Sequence, residues 1–411
     1  MDRDAVDEVV ALWNKQLPFI RMHFAVKAHS DPLLLTYLSS LGCSFDCASD
    51  VEMQLARICG AGAGNVVLSN PAKNYGTIEA ITEKPSAIVI DTLDELDRVA
   101  SIVRGIPDYF PTILVRILIR ATNVQDDLSS KYGARASRAL DLLRLARNRR
   151  FQSLGLAFHV GTQAYLIDGF ERAIHKCLKI AEKAKREGLV VSVVDIGGGF
   201  CDKRTAIANG VSMDALLSDL SRILAPLSSK FQLIGEPGRL VVADAGVLLV
   251  RIIAIDLGGA KKHRQIVVDD TVYGAFNGQN HDSKTFTFHR IQAKAGTQYC
   301  DATGCIDWKI QGASCDSIDL LKGPNGDLHL LPADLSVGDV LAVTNMGAYS
   351  TSSGGFNGID PAGVYLAWRE GEQVVYQRSP LFRRSKLLLA HLAKESSMFC
   401  NAQPLPTEMQ S

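Results

Sequence analysis

Several absences narrow the field before any residue is singled out. No charge of either sign is in excess, since 44 Lys plus Arg face 44 Asp plus Glu in 411 residues. No global field would draw such a chain to nucleic acid or an anionic membrane, so a small molecule is the expected partner. No apolar run is long enough to span a bilayer; the longest, such as Val242 to Ile255, are broken by Asp244 and Arg251, and no membrane helix is expected. The first twenty residues carry Asp2, Asp4, Asp7 and Glu8 in place of a basic start and an apolar stretch. That argues against a secretory signal and makes the cytoplasm the expected location. The nine cysteines form no CxxC pair, and an odd count without a secretion signal suits reduced thiols in the core better than a disulfide framework. What is left is an ordinary globular composition, 47% hydrophobic and 21% charged, with length for two or three compact units, two being the working count.

From about residue 20 to about residue 240, short β-branched runs alternate with amphipathic stretches, as in repeated βα units around a parallel sheet. Eight runs read as strands: Phe24 to Lys27, Phe45 to Ala48, Val66 to Ser69, Ala87 to Ile90, Ile113 to Ile117, Gly155 to His159, Val191 to Ile196 and Leu233 to Glu236. Helices are expected between them, among them Pro32 to Leu41, Asp50 to Cys59, Leu93 to Val103 and Ala164 to Glu187. Eight such units predict a (β/α)8 TIM-type barrel over residues 1–240, with Lys27, Asp46, Arg116, His159, Gly197 to Gly199 and Glu236 on the rim where barrel active sites form. After Gly238 the pattern turns β-rich, with Ala245 to Asp256, Arg264 to Asp269 and Val340 to Thr344 as strands. A second, all-β domain is expected over 241–396, followed by a polar tail at 397–411.

Chemistry enters at Val194-Asp195-Ile196-Gly197-Gly198-Gly199-Phe200, where a strand runs into three glycines. Three missing side chains expose backbone N–H groups, a nest suited to phosphate, although a glycine cluster after a strand is as readily a plain tight turn. Gly235-Glu236-Pro237-Gly238-Arg239 ends another strand with an acid and an arginine. The arginine suits the same phosphate, or else the segment is a surface turn with an ordinary ion pair. Lys27 closes the apolar strand Phe24-Ala25-Val26, so its amine is expected in the barrel mouth, desolvated and therefore apt to form a Schiff base. Singly these features mean little; on one rim they belong together. His23, His29, His175 and His391 lack metal spacing, and Arg144 to Arg150 reads as a solvated helix face.

These residues resemble the fold-type III pyridoxal-phosphate decarboxylases, whose barrel is of the alanine-racemase kind, and within them the ornithine decarboxylase branch. The likeness rests on Phe24 to Lys27, Phe45 to Ser49, Ser69 to Lys73, Phe158 to Gly161, Asp195 to Phe200 and Glu236 to Arg239 in the barrel. Cys315 to Asp319 and Asn345 to Tyr349 continue it in the second domain. The resemblance implies pyridoxal 5′-phosphate as cofactor, with Lys27 as the Schiff-base lysine and Asp46 beside it. It implies that His159 stacks on the ring, that Glu236 keeps the ring nitrogen protonated and that Arg116 lies near the cofactor face. Gly198, Gly199, Gly238, Arg239 and Tyr349 would hold the phosphate, with Thr162 in place of a serine hydroxyl. Cys315 would protonate Cα after carbon dioxide leaves, and Asp316 and Asp282 would hold the substrate's distal amine. Cys315 and Asp316 would reach across a dimer interface, so complete sites require a homodimer.

The expected reaction is decarboxylation of a basic amino acid, L-ornithine to putrescine or a related substrate in a specialised amine or alkaloid pathway. Two departures bear on specificity. His281 precedes Asp282 where ornithine-specific members have an aromatic residue, and Gly161-Thr162-Gln163 leans towards the Ser-Gln of diaminopimelate decarboxylases. Only 26 residues precede Lys27, where the family has a further strand joined to the β-domain. The alternatives are a diaminopimelate-type decarboxylase, a racemase, which would place arginine rather than Glu236 against the ring nitrogen, and a catalytically inactive antizyme-inhibitor-like regulator.

Overall fold

The computed structural model describes residues 1–120, 124, 131–258, 263–292, 296–298, 304–351, 356–359, 361–371 and 373–379. The expected polar tail at 397–411 and His391 lie outside the described residues. Eight parallel strands close a barrel in sequence order: β1 (Ile20–Ala25), β2 (Ser44–Cys47), β3 (Val66–Leu68), β4 (Ala87–Ile90), β5 (Thr112–Arg116), β6 (Leu154–Ala157), β7 (Val191–Asp195) and β8 (Gln232–Gly235), with β8 pairing back onto β1. The short runs are nearly all buried because helices cover one face and the barrel interior the other. Val67, Val89, Leu114, Ala157, Val193 and Ile234 fill the interior, as layered side chains do in such barrels.

All eight expected strands are present, but all except β4 end one or two residues sooner than expected. Lys27, His159 and Glu236 consequently sit on the loops just above the strands, whereas Asp46 and Arg116 remain within β2 and β5. The helix expected from Ala164 begins at Asp168, because Ala164 is drawn into a bridge with Phe200. A helix precedes the barrel, Arg3–Gln16, capped by Asp2, whose side chain accepts from the N–H groups of Asp4 and Ala5. Its buried Val6, Val10 and Trp13 cover the seam between β8 and β1, where Trp13 Nε1 donates to the Ile20 carbonyl at 3.2 Å. Trp13 also explains Gly235: any Cβ there would lie 2.8 Å from the indole.

The second domain is a sheet built from β9 (Leu248–Asp256), β10 (Arg264–Val268), β11 (Phe288–Gln292), β12 (Gly296–Gln298), β13 (Cys305–Gln311), β14 (Leu320–Leu321), β15 (His329–Pro332) and β16 (Val340–Val343). Val250, Ile252, Ile266, Phe276, Trp308, Ile310 and Leu341 form its separate core. A hairpin of β17 (Tyr365–Glu370) and β18 (Gln373–Arg378) bridges to Asp2 through Ala367, so residue 2 makes one bridge where the family resemblance led us to look for a strand. Among the described cysteines, Cys43, Cys47, Cys59, Cys177, Cys201 and Cys315 are free thiols. Cys305 is disulfide-bonded, an exception to the expected reduced state.

The two units meet at glycines. Met346 N–H donates to Gly246 O at 2.8 Å and Gly347 N–H to Ala243 O at 3.1 Å. A Cβ on Gly246 would sit 2.0 Å from Gly347 N, and one on Gly347 would sit 1.6 Å from Val242 O, so backbone packs on backbone with no room for a side chain. From this joint Tyr349, at φ +60°, donates its N–H to Ala28 O at 2.7 Å, one residue past Lys27.

Candidate active site

Lys27 occupies a 3₁₀ turn, Val26–Ala28, directly after β1. Its amine lies 3.3 Å from Asp46 Oδ2. The expectation of a desolvated amine is only half met: the side chain is 43% accessible because the mouth above it is open, although protein charges ring it closely. The Asp46 carboxylate, 1% exposed, holds Lys27 protonated well above its ordinary range, overcoming the opposing effect of burial, with Tyr349, Glu236 and Glu52 adding to the pull.

Three carboxyls surround this one amine. Burial raises Glu236 well above the usual carboxylate range, and the Asp195 and Asp46 charges raise it further. Burial likewise pushes Asp195 up to about 7, against the N–H of Gly197 that its Oδ1 accepts at 2.8 Å. Glu236 thus stays protonated at neutral pH and Asp195 partly so, because burial disfavours their charged forms. His159 is pushed down to about 3, first by burial and then by Lys27 and Arg116. It is therefore neutral, and its Nδ1 accepts the Gly161 N–H at 3.1 Å. Arg116 lies over the Tyr132 ring at 5.5 Å.

The glycine segment is a nest of two N–H groups, not three. Gly197 N–H is taken by Asp195, while those of Gly198 and Gly199 have no acceptor among the described residues. Close packing enforces the glycines: a Cβ on Gly197 would meet Phe158 O at 2.0 Å, one on Gly198 Glu236 O at 2.8 Å and one on Gly199 Gly161 O at 2.2 Å. Gly238 is fixed in the same way, its Cβ position being 2.8 Å from Ala28 Cβ. Arg239, 7% exposed, has the Tyr349 ring 4.8 Å from its guanidinium carbon. Thr162 is half-buried on the loop after β6.

The sheet-domain residues lie differently. Asp282, expected in the distal-amine pocket, pairs with Arg239 at 2.6 Å, because a buried guanidinium needs a counter-charge. Cys315 is exposed, and its N–H donates to Asn357 Oδ1 at 3.3 Å. Asp316 accepts from the Tyr273 hydroxyl at 2.5 Å and from Ile318 N–H at 3.1 Å, which lower its pKa and keep it anionic. Buried Asp319 ties the whole loop down, accepting from Thr271, Val272 and Ser314. No hydrogen bond or ion pair among the described residues links Cys315 or Asp316 to Lys27.

Residues 3–243 match the pyridoxal-binding domain of the pyridoxal-dependent decarboxylases, and residues 160–347 match their C-terminal sheet domain. The chain belongs to this family. A lysine/ornithine decarboxylase of Selenomonas ruminantium is 29% identical over 86% of this chain and 85% of its own length. Antizyme inhibitor 2 of Xenopus laevis is 28% identical over 86% and 77%. The solved lysine/ornithine decarboxylase of Vibrio vulnificus, complexed with cadaverine, is 26% identical with a TM-score of 0.76 over 91% of this chain and 94% of that one.

The site fits pyridoxal phosphate, the cofactor of these decarboxylases. The unpaired N–H groups of Gly198 and Gly199 beside Arg239 suit a phosphate. Asp46 Oδ1 is buried without a hydrogen-bond partner, and carboxyls outnumber cations around it, which suits a protonated ring nitrogen. Sequence reasoning left several supports unread. Gln163 Nε2 donates to Asp202 Oδ2 at 2.8 Å and Gln163 Oε1 accepts the Asp202 N–H at 3.0 Å. The Lys73 amine, fully buried, donates to Asn70 O, Val89 O and Glu95 Oε1, so the segment Ser69 to Lys73 braces the rim. Asp195 stood inside a motif but carried no expected role, and Tyr273 stood outside every motif.

Proposed function

We propose that this decarboxylase acts on a basic amino acid, L-ornithine or a related diamino acid of a specialised amine or alkaloid pathway. The observation that carries the reading is the Lys27 amine held 3.3 Å from Asp46 amid neutral His159 and the proton-retaining pair Asp195 and Glu236. When bound, pyridoxal phosphate supplies the electron sink for the carbon that loses its carboxylate. Lys27 would hold the cofactor through its amine, with Asp46 beside it at 3.3 Å orienting that nitrogen. Glu236, backed by Asp195, would face the ring nitrogen and share its retained proton with it. His159 offers an uncharged ring face, and Arg116 borders the site. Gly198, Gly199, Gly238, Arg239, Tyr349 and Thr162 bind the phosphate.

Cys315 donates the proton to Cα once carbon dioxide has left, a task a thiol can perform. Asp316, anionic and held by Tyr273, receives the substrate's distal ammonium, while Asp282 borders that pocket through Arg239. A homodimer in which Cys315 and Asp316 serve the neighbouring barrel is supported by their exposed loop. Leu249 and Ile253, 58% and 46% exposed on β9, add an apolar face that suits such an interface. In this reading residues 1–240 bind the cofactor and 241–396 complete the partner's site.

The test is to add pyridoxal phosphate and a panel of ornithine, lysine, arginine and diaminopimelate, recording absorbance and carbon dioxide together. A yellow protein that releases carbon dioxide from ornithine supports the reading, and a yellow protein inert to the panel moves it to a bulkier substrate. A colourless, inert protein sinks it in favour of an antizyme-inhibitor-like regulator.

A further inference from the structure

We propose that Gln163 and Asp202 are positioning residues for the cofactor phosphate, a buried two-bond clamp that fixes the spacing between the Thr162 loop and the Gly198–Gly199 loop. The inference rests on the reading of those loops as the phosphate site. The two segments run side by side, joined otherwise by one backbone bond, Ala164 N–H to Gly199 O at 2.8 Å. Gln163 answers Asp202 twice, donating to its carboxylate at 2.8 Å and accepting its N–H at 3.0 Å. Both side chains are buried, at 8% and 3% exposure. Gln163 adopts φ +58°, a left-handed conformation uncommon outside glycine, and one that persists where surrounding contacts over-determine it.

Asp202 is anchored in turn. Its Oδ1 accepts the Thr205 N–H at 2.7 Å, capping the helix Lys203–Ala208. The clamp therefore ties the loop after β6 to a fixed point beyond the glycines. With the clamp removed, the unpaired N–H groups of Gly198 and Gly199 would lose their register with Thr162, one residue from Gln163. Neither clamp residue need touch the cofactor.

Absorbance titration of the apo-protein with pyridoxal phosphate and with pyridoxal, which lacks the phosphate, separates this role from general support. Gln163→Leu is expected to weaken pyridoxal phosphate about tenfold while leaving pyridoxal within about twofold. Gln163→Glu sets two carboxylates against each other and should be at least as damaging. The double change Gln163→Glu with Asp202→Asn should restore affinity, because the introduced carboxylate can accept both the residue-202 N–H and the new amide, while the amide oxygen keeps the Thr205 cap. Equal weakening of both ligands, no weakening of either, or failure of the double change to restore binding would overturn the clamp. A wild-type protein that binds pyridoxal phosphate no more tightly than pyridoxal would overturn the site reading itself, and that titration is made first.

Discussion

On the barrel side of the site the cations are answered by carboxylates of the same chain, Lys27 by Asp46 and Arg239 by Asp282, and the buried acids Asp195 and Glu236 share a retained proton instead. On the sheet side Cys315 is exposed, and Asp316, though held by Tyr273, faces no cation among the described residues. The contrast teaches a division of labour. The barrel half is preorganised for a permanent guest, and its electrostatics are tuned by burial. The sheet half presents an exposed thiol, and an anion with no cation beside it among the described residues, on a loop made stiff from behind by Asp319, as the proposed dimer would require.

The sharpest way to break the contrast is Lys27→Ala, which is expected to remove both the colour and all measurable decarboxylation while leaving the fold intact, since no core contact is lost. Cys315→Ala should lower kcat by roughly 10²–10⁴-fold, the usual worth of a general acid, yet leave the absorbance of the bound cofactor unchanged; a loss of colour would erase the division. Mixing those two dead variants should recover about a quarter of wild-type activity, since half the dimers are mixed and each mixed dimer holds one intact site. No recovery would put the whole site in one chain. Tyr273→Phe should raise KM for a diamino acid roughly tenfold by releasing Asp316, with kcat nearly constant, as expected for a lost hydrogen bond to a charged group.

The smallest expected effect is on stability. Asp195 has a folded pKa of about 7, above its ordinary value of 3.8, so the folded apo-protein binds a proton the unfolded chain lacks. Stability is greatest below about pH 4 on this account and falls as pH rises towards 7. Asp195→Asn should flatten that part of the slope in a pH series of thermal midpoints. An unchanged slope would assign the titration elsewhere.

The barrel was legible because two-sided burial leaves short apolar runs that nothing else in the chain imitates, and because Lys27, His159 and Glu236 recur where such runs stop. Strand ends were less so: polar residues at the rim look alike whether they close a strand or open a loop. Pairings distant in sequence left no local trace. Nothing near Gln163 announces Asp202, and nothing near Asp282 reveals that Arg239 has claimed it. The Lys27 environment was legible only in part, since an apolar strand announces a desolvated amine but not the aspartate on the next strand that keeps it protonated.

The glycine joint between barrel and sheet carries a lesson about inheritance. Where the Cβ position of Gly347 falls 1.6 Å from Val242 O, neither surface can accept a substitution independently, and the two units are heritable only as a matched set. A recombinant that took its barrel from one ancestor and its sheet from another would need Ala243 to Gly246 and Met346 to Tyr349 from the same parent, so the natural seam for shuffling lies in neither domain but around the pair of loops that join them.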